Sequence, residues 1–207
     1  SSLLGAASML AAHGSVSGLF AGRYAIERQL GKGATATVHL ARDTQRGIAV
    51  ALKILRPELA ESGAAKRFLK EIDRTGQLDH PRILKVLDAG EHEGRPYFAL
   101  PYMEGGTLRT RLRRESQLPL EDAIAIARSV AEALDYAHGR GLVHRDVKPE
   151  NILFTGGVAC LGDFGIARAL ETVYGEASSS AHVIRGTPAY MSPEQAGGEP
   201  NIDGRSD

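Results

Sequence analysis

The N-terminal part of the chain carries hydrophobic patterns with the two-residue period of β-strands. Apolar and polar residues alternate on both sides of Gly31 and Gly33, which indicates two strands joined by a glycine-rich turn. A later apolar run is interrupted only by Lys53 and predicts a third strand. The segments predicted as strands are 24–30, 37–41, 48–55, 83–89 and 97–102.

A helical period appears between the third and fourth of these strands. Residues 64–78 place Phe68, Leu69 and Ile72 among charged residues, which predicts an amphipathic helix. The strands and this helix form a small α+β unit that ends near Met103.

A different organisation follows residues 104–106, where a composition break predicts a hinge. Leu108 and Leu112 lie four positions apart and predict a short, charged helix. Residues 120–138 predict a longer helix with acidic residues in its first turn. Its wide apolar face is formed by Ala123, Ile124, Ala127, Val130, Ala131 and Leu134.

The composition argues against several classes of function. The chain has 207 residues with 25 Lys+Arg and 25 Asp+Glu, so it shows neither a basic footprint for nucleic acid nor a polybasic membrane signal. The single cysteine, Cys160, excludes an internal disulfide and a paired-cysteine metal motif. No apolar run approaches the roughly 18 residues of a membrane span, and residues 1–22 lack the basic start of a signal peptide.

The densest group of reactive side chains follows the second long helix. Residues 144–151 read His-Arg-Asp-Val-Lys-Pro-Glu-Asn, and Asp163-Phe164-Gly165 comes shortly afterwards. Phosphoryl transfer from ATP needs a carboxylate to orient a hydroxyl, a cation near the moving phosphate and two groups that hold magnesium. The alternative is a polar loop that matches by chance, and the ordered combination argues strongly against it.

These residues resemble the signature of the protein kinases, most closely the bacterial Ser/Thr type. The resemblance covers 24–207 and implies an α+β, two-lobed fold. The N-lobe would hold a five-stranded antiparallel sheet and one helix, and the C-lobe would be mainly helical and truncated. We therefore expect a tail over 1–22, the N-lobe over 23–103, and part of the C-lobe, with catalytic loop and activation segment, over 104–207.

The resemblance places ATP phosphates beside the glycine-rich turn. Gly31 and Gly33 would let backbone N–H groups approach the phosphates. Lys53 would contact the α- and β-phosphates and pair with Glu71 on the following helix. Without the resemblance, Lys53 would be read as a solvent-facing lysine and Glu71 as an ordinary exposed acid.

Adenine would lie against the segment that joins the lobes. Leu100 would be the gatekeeper and Met103 would donate a backbone N–H. Two positions depart from the family, since Ala36 replaces a third loop glycine and Pro101 replaces a glutamate. Pro101 keeps the carbonyl that adenine needs. The apolar walls would be Leu30, Val38, Ala51 and Leu153, each of which is equally explained as a core residue.

The resemblance gives the catalytic loop its roles. Asp146 would orient the substrate hydroxyl and Lys148 would stabilise the transferring phosphoryl group. Asn151 and Asp163 would hold Mg²⁺, which prefers carboxylate and amide oxygens together with phosphates. Thr187 would contact Asp146 and Lys148 and help to place a Ser/Thr substrate.

The activation segment would run from residue 163 to residue 194. Its closing motif keeps the family pattern except at Ser192, where alanine is usual. Arg145 precedes the catalytic aspartate and would bind a phosphate on this segment. The candidate phosphorylation sites are Thr172, Ser178, Ser179 and Ser180, and the serine run is equally explained as a loop tip.

The sequence therefore predicts a Ser/Thr protein kinase that uses ATP and Mg²⁺ on protein substrates. An inactive truncated kinase, a nucleotide-binding scaffold and a small-molecule phosphotransferase are the alternatives. Autophosphorylation or a dimer would fit the family, whereas nucleic acid and a membrane segment in this chain would not. We expect a cytoplasmic domain, with any membrane anchor elsewhere in an intact protein. The family's domain continues beyond residue 207, so we expect a fragment that is not active alone.

Overall fold

The computed structural model describes residues 18–33, 35–56, 64–166, 187–199 and 201–207. Its N-terminal strands are β1 (Tyr24–Lys32), β2 (Ala36–Asp43), β3 (Ile48–Leu55), β4 (Asp88–His92) and β5 (Arg95–Pro101). They form one antiparallel sheet in the order β1-β2-β3-β5-β4, which confirms the predicted five-stranded antiparallel sheet. Because β3 lies at the centre of the sheet, its apolar run is continuous.

The register of β3 decides which side chains share the face of the sheet that carries Lys53, which faces the cleft between the N-terminal sheet and the C-terminal unit. Lys53 lies opposite Val38 of β2 and Phe98 of β5. Ala51 lies opposite Leu100. Directly opposed residues of antiparallel strands point to the same face. Val38, Ala51, Lys53 and Leu100 therefore share one surface.

Helix α1 (Ala64–Gly76) packs on this face beside the cleft. Phe68 and Ile72, fully buried, contact a cluster that includes Phe98. The helix ends at Gly76, before the predicted end at Leu78, because glycine destabilises helical backbone. Leu78 belongs instead to the core of the C-terminal unit.

The opposite face of the sheet is covered by the chain that leads into β1. Phe20 is buried there, and its ring meets that of Tyr97 edge-on at 5.2 Å. Phe20 belongs to the predicted tail over 1–22, and part of that segment therefore packs on the sheet. Beside it, Arg23 forms a bidentate pair with the buried carboxylate of Asp43 at 2.9 and 2.6 Å. The Arg23 hydrogen bond lowers the pKa of Asp43 to about 2.

The fourth strand is displaced from its predicted position. Residues 83–89 were predicted, whereas β4 spans Asp88–His92. Ile83 forms an isolated parallel bridge with Leu161, and the Leu84 N–H donates to the Leu161 carbonyl at 2.9 Å. The apolar run is therefore explained by contact with the C-terminal unit, while β4 is polar because it forms the sheet edge.

The C-terminal unit packs helices against a short hairpin. Its elements are α2 (Leu108–Glu115), α3 (Leu120–His138), β6 (Ile152–Thr155), β7 (Val158–Leu161) and α4 (Pro193–Ala196). The predicted charged helix and long helix are both confirmed. Gly156 and Gly157 have φ of 53° and 80°, as a two-residue turn between paired strands requires.

The apolar surface of α3 divides into two faces. Ile126, Ala133 and Ala137 are buried in the core with β6 and β7. Leu120 and Ile124 remain 74% and 52% exposed. The predicted face was therefore wrong in its position. None of its six residues is buried, and only Val130 and Leu134 among them pack partly against this core. Within the described ranges, no helix is long and apolar enough to cross a membrane.

Candidate active site

The catalytic loop begins at His144, which is completely buried. The N–H of Asp146 donates to His144 Nδ1 at 3.2 Å, and His144 Nε2 lies 2.8 Å from the Gly162 carbonyl. A ring nitrogen that faces a carbonyl must donate, so the imidazole is neutral with its hydrogen on Nε2. Burial lowers the pKa of His144 and favours this form. The ring thereby connects the loop to the residue before Asp163.

The backbone around Arg145 is strained and held from outside the loop. Arg145 has φ of 69°, a costly conformation for a residue with a Cβ. The carboxylate of Asp207 accepts the N–H groups of His144 and Arg145 at 2.7 and 2.6 Å. Its Oδ2 also lies 2.8 Å from His138 Nε2. Gln195 donates to the Arg145 carbonyl at 2.9 Å. These contacts stabilise a loop conformation that the backbone alone disfavours.

Asp146, Lys148 and Asn151 lie together in the loop. Lys148 Nζ lies 2.6 Å from Asp146 Oδ2, and the Asn151 amide donates to the Asp146 carbonyl at 2.8 Å and to Oδ2 at 3.2 Å. Asp146 Oδ1 has no partner among the described residues. This oxygen is buried, and a buried carboxylate oxygen without a donor is costly, so the loop holds an acceptor that a hydroxyl donor could satisfy.

Thr187 joins this group from the far end of the activation segment. Lys148 Nζ donates to Thr187 Oγ1 at 2.9 Å. Thr187 precedes the 3₁₀ turn Pro188–Tyr190, which leads into α4. Ser192 caps α4 by accepting the Gln195 N–H, so the departure from alanine has a structural role.

Lys53 is paired with Asp163 across the cleft. Its ammonium donates to both carboxylate oxygens, and the two side chains are 17% and 21% exposed. Asp163 has φ of 63°, a second left-handed residue at the site. Glu71, the partner expected from the sequence, accepts from Arg74, one turn further along α1, at 3.2 Å. The pairing of Lys53 with Glu71 therefore stays a prediction, and Asp163 holds the ammonium in this arrangement.

The residues after Asp163 connect the cleft to both lobes. The Phe164 ring meets His144 edge-on at 4.6 Å and is buried in the C-terminal core. Gly165 has φ of 70° and lies against Thr75 at the end of α1. A Cβ at Gly165 would overlap the Thr75 methyl group, so only glycine permits this approach.

The residues predicted to contact adenine differ in their burial. Leu100 and Met103 are buried, while Val38, Ala51 and Leu153 are half-buried and Leu30 is exposed. No described residue accepts the N–H of Met103, although its carbonyl accepts from Gly106 at 3.2 Å. A Cβ at Gly31 would meet no atom within 4 Å, and the Gly33 N–H donates to Ala36 at 2.9 Å. The backbone of Gly31 is therefore open to a ligand, whereas the Gly33 N–H is already engaged.

The donor set suits magnesium. The Asn151 nitrogen is engaged by Asp146, which leaves the amide oxygen as the atom that can face a cation. Asp163 supplies a carboxylate in the same cleft. Magnesium in nucleotide sites is held by one or two such protein groups together with phosphates.

Several structural contributors were missed by sequence reasoning. Asp207 received no role, because a lone acid carries no signal of its partners. Glu150 lay in the catalytic loop but received no role, although it accepts from Arg109 at 2.7 Å. Tyr190, which also received no role, accepts a hydrogen bond from the same arginine through its hydroxyl. Thr172 and Ser178–Ser180, the predicted phosphorylation sites, lie outside the described residues.

The family comparison agrees with this geometry. The family described as "Protein kinase domain" matches residues 24–207. A probable serine/threonine-protein kinase PknB of Bifidobacterium longum is 40% identical over 91% of the chain, which covers 29% of that protein. Serine/threonine-protein kinase PknB of Mycobacterium leprae is 39% identical over 89% of the chain and 30% of its own length.

Solved structures give the same result. The crystal structure of the Mycobacterium tuberculosis PknI kinase domain matches with a TM-score of 0.71 and 35% identity. The match covers 94% of this chain and 73% of that domain. The chain belongs to the protein kinase family. It spans about three tenths of the length of the curated relatives named above.

Proposed function

We propose that this protein transfers the γ-phosphoryl group of ATP to Ser and Thr hydroxyls of protein substrates. The observation that carries the proposal is the group of Asp146, Lys148 and Thr187, with Asp146 Oδ1 unpartnered among the described residues. The Thr187 hydroxyl lies beside Lys148, where it would contact an acceptor Ser or Thr side chain of the substrate. The related kinases support the same activity.

Each residue of the group would have one task. Asp146 Oδ1 accepts the hydrogen of the substrate hydroxyl and orients its oxygen for in-line attack. Lys148 stabilises negative charge on the phosphoryl oxygens, and its bonds to Asp146 and Thr187 fix its position. Lys53 holds the α- and β-phosphates at the opposite side of the cleft.

Asn151 and Asp163 would hold Mg²⁺, which would neutralise charge on the ATP phosphates. Leu30, Val38, Ala51, Leu100 and Leu153 would enclose adenine, with the Met103 N–H as a donor. In this assignment residues 23–103 form the N-lobe and 104–207 form part of the C-lobe. Because ATP is supplied inside the cell, catalysis would take place in the cytoplasm.

We further propose that the protein phosphorylates itself within 172–180 and that Arg145 binds the added phosphate. This reaction would occur between two copies that meet at least transiently. Phosphosite mapping after incubation with Mg·ATP should find modification between Thr172 and Ser180. A fully active protein that carries no phosphate there would contradict this switch.

The main test compares Asp146→Asn with the unaltered full-length protein. We expect turnover on a generic protein substrate to fall by about 100-fold or more, because the proton acceptor is lost. Nucleotide affinity should stay within about twofold, since Asp146 does not contact ATP in this assignment. Asp135→Asn, an exposed acid on α3, is the matched control and should retain full activity. Unchanged turnover in Asp146→Asn would refute the proposal.

A further inference from the structure

Arg109 in the first turn of α2 connects the catalytic loop to the end of the activation segment. Its Nε donates to Glu150 Oε1 at 2.7 Å, and its guanidinium donates to the hydroxyl of Tyr190. The guanidinium carbon also lies 5.7 Å from the Tyr190 ring centroid. The Arg109 and Glu150 side chains are 29% and 44% exposed, so the cluster reaches the molecular surface.

This cluster adjoins the place where an acceptor hydroxyl would bind. Glu150 lies in the same loop as Asp146 and Lys148. Tyr190 closes the turn that starts at Thr187, and its N–H donates to the Thr187 carbonyl at 2.8 Å. A polypeptide that brings a hydroxyl to Asp146 must pass over the exposed groups beside it. The Arg109 cluster is therefore part of the surface that such a polypeptide would contact.

The charges of this surface are balanced in pairs. Lys148 compensates Asp146 at 2.6 Å, which leaves Glu150 as the neighbouring acid that could attract a basic substrate side chain. Arg109 compensates Glu150. The hydrogen bond to Glu150 raises the pKa of Arg109. Burial raises the pKa of Glu150, but the Arg109 hydrogen bond, a backbone hydrogen bond and the charges of Arg109 and Lys148 together lower that pKa overall. Both groups are thus charged near neutral pH.

Tyr190 keeps the arginine in this position. A guanidinium held by a single exposed carboxylate would be easy to displace, because exposed ion pairs are weak. A second hydrogen bond and contact with the aromatic ring limit the orientations of Arg109. A basic substrate residue that replaced Arg109 on Glu150 Oε1 would have to break both contacts.

We propose that Arg109 is a specificity-determining residue that prevents basic side chains of the substrate from pairing with Glu150. The protein then discriminates against Arg and Lys close to the acceptor Ser or Thr and uses neutral or acidic sequences. The proposal rests on the function proposed above and names the substrate class of the same site. Removing the guanidinium would take away the ion-pair partner of Glu150 and open the surface to basic peptides.

The test uses the full-length protein and a peptide set with one acceptor serine. Arg, Glu or Ala is placed in turn at each position up to three residues from that serine. We expect Arg109→Ala to raise kcat/KM for an arginine peptide over its alanine counterpart by about fivefold or more, mainly through KM. Arg109→Gln, which keeps most of the side-chain stem, should change selectivity in the same direction. Adding Glu150→Gln to Arg109→Ala should abolish the gain.

Arg114→Ala is the matched control, since Arg114 lies on the same helix, is 74% exposed and pairs only with Glu115 among the described residues. It should show the selectivity of the unaltered protein. Fluorescence anisotropy of the same peptides, with a non-hydrolysable ATP analogue, gives a readout that needs no turnover. Equal arginine-to-alanine ratios in Arg109→Ala and the unaltered protein, by both readouts, would overturn the assignment. So would a gain that persists after Glu150→Gln. Failure to phosphorylate even the neutral peptides would instead count against the proposed function.

Discussion

The ammonium of Lys53 donates to both carboxylate oxygens of Asp163. One residue belongs to the central strand of the N-terminal sheet, and the other follows the hairpin of the C-terminal unit. The pair therefore joins the two sides of the cleft at the place where the ATP phosphates are proposed to bind. Both side chains are mostly buried, so the attraction between them is screened less than at an open surface.

Lys53→Met should reduce kcat/KM for ATP by about 100-fold or more, because a preorganised charge on the phosphates is lost. Steady-state kinetics with varied ATP measures the effect. Lys70→Met is the control, since Lys70 is an exposed lysine on α1. Unchanged turnover in Lys53→Met would show that Lys53 does not contact the phosphates.

Asp163→Asn should differ from Asp146→Asn in its dependence on magnesium. Loss of a metal-binding carboxylate should raise the Mg²⁺ concentration for half-maximal nucleotide binding by about tenfold or more. Asp146→Asn should leave that concentration unchanged. Calorimetric titration of nucleotide at several Mg²⁺ concentrations separates the two variants. An equal loss of affinity in both would show that the division of roles is wrong.

Asp207→Ala should lower both stability and turnover, because two backbone N–H groups of the catalytic loop lose their acceptor. The free energy of unfolding should fall by about 2 kcal/mol or more. Without this support the left-handed Arg145 backbone should relax and move Asp146, so kcat should fall more than nucleotide affinity. Asp79→Ala provides the contrast, since Asp79 is 84% exposed and pairs with Lys85 at 3.5 Å, so its loss should leave the unfolding midpoint almost unchanged. Similar effects of the two variants would contradict this account.

The Arg23–Asp43 pair should give part of the stability a defined pH dependence. The pKa of Asp43 falls from an ordinary 3.8 to about 2, chiefly through the Arg23 hydrogen bond. A lowered folded-state pKa means that the contribution is complete above the unfolded pKa and is lost as pH falls towards 2. The free energy of unfolding, measured with denaturant, should differ less between pH 6 and pH 3 for Asp43→Asn than for the unaltered protein. Equal differences would argue against the pair.

Much of this protein could be predicted from local sequence. The apolar run of residues 48–55 and the helical spacing of residues 120–138 identified β3 and α3 with their observed bounds, because both patterns arise within one element. The catalytic loop was recognisable because Asp146, Lys148 and Asn151 are neighbours in the chain. Their mutual contacts follow from short connections that leave the backbone few conformations.

Contacts between distant segments were decided only by the tertiary structure. The apolar residues at the start of the run 83–89 fitted either a strand or another buried segment, and only packing against β7 showed that this part lies outside the fourth strand. Lys53 had two carboxylates within reach in principle, and its contact with Asp163 depends on how the lobes meet. Asp207 and Arg109 acquired their importance from partners more than 40 positions away. A pattern along the chain reports which side chains are buried or charged, whereas the partner of each charge depends on how the elements pack together in space.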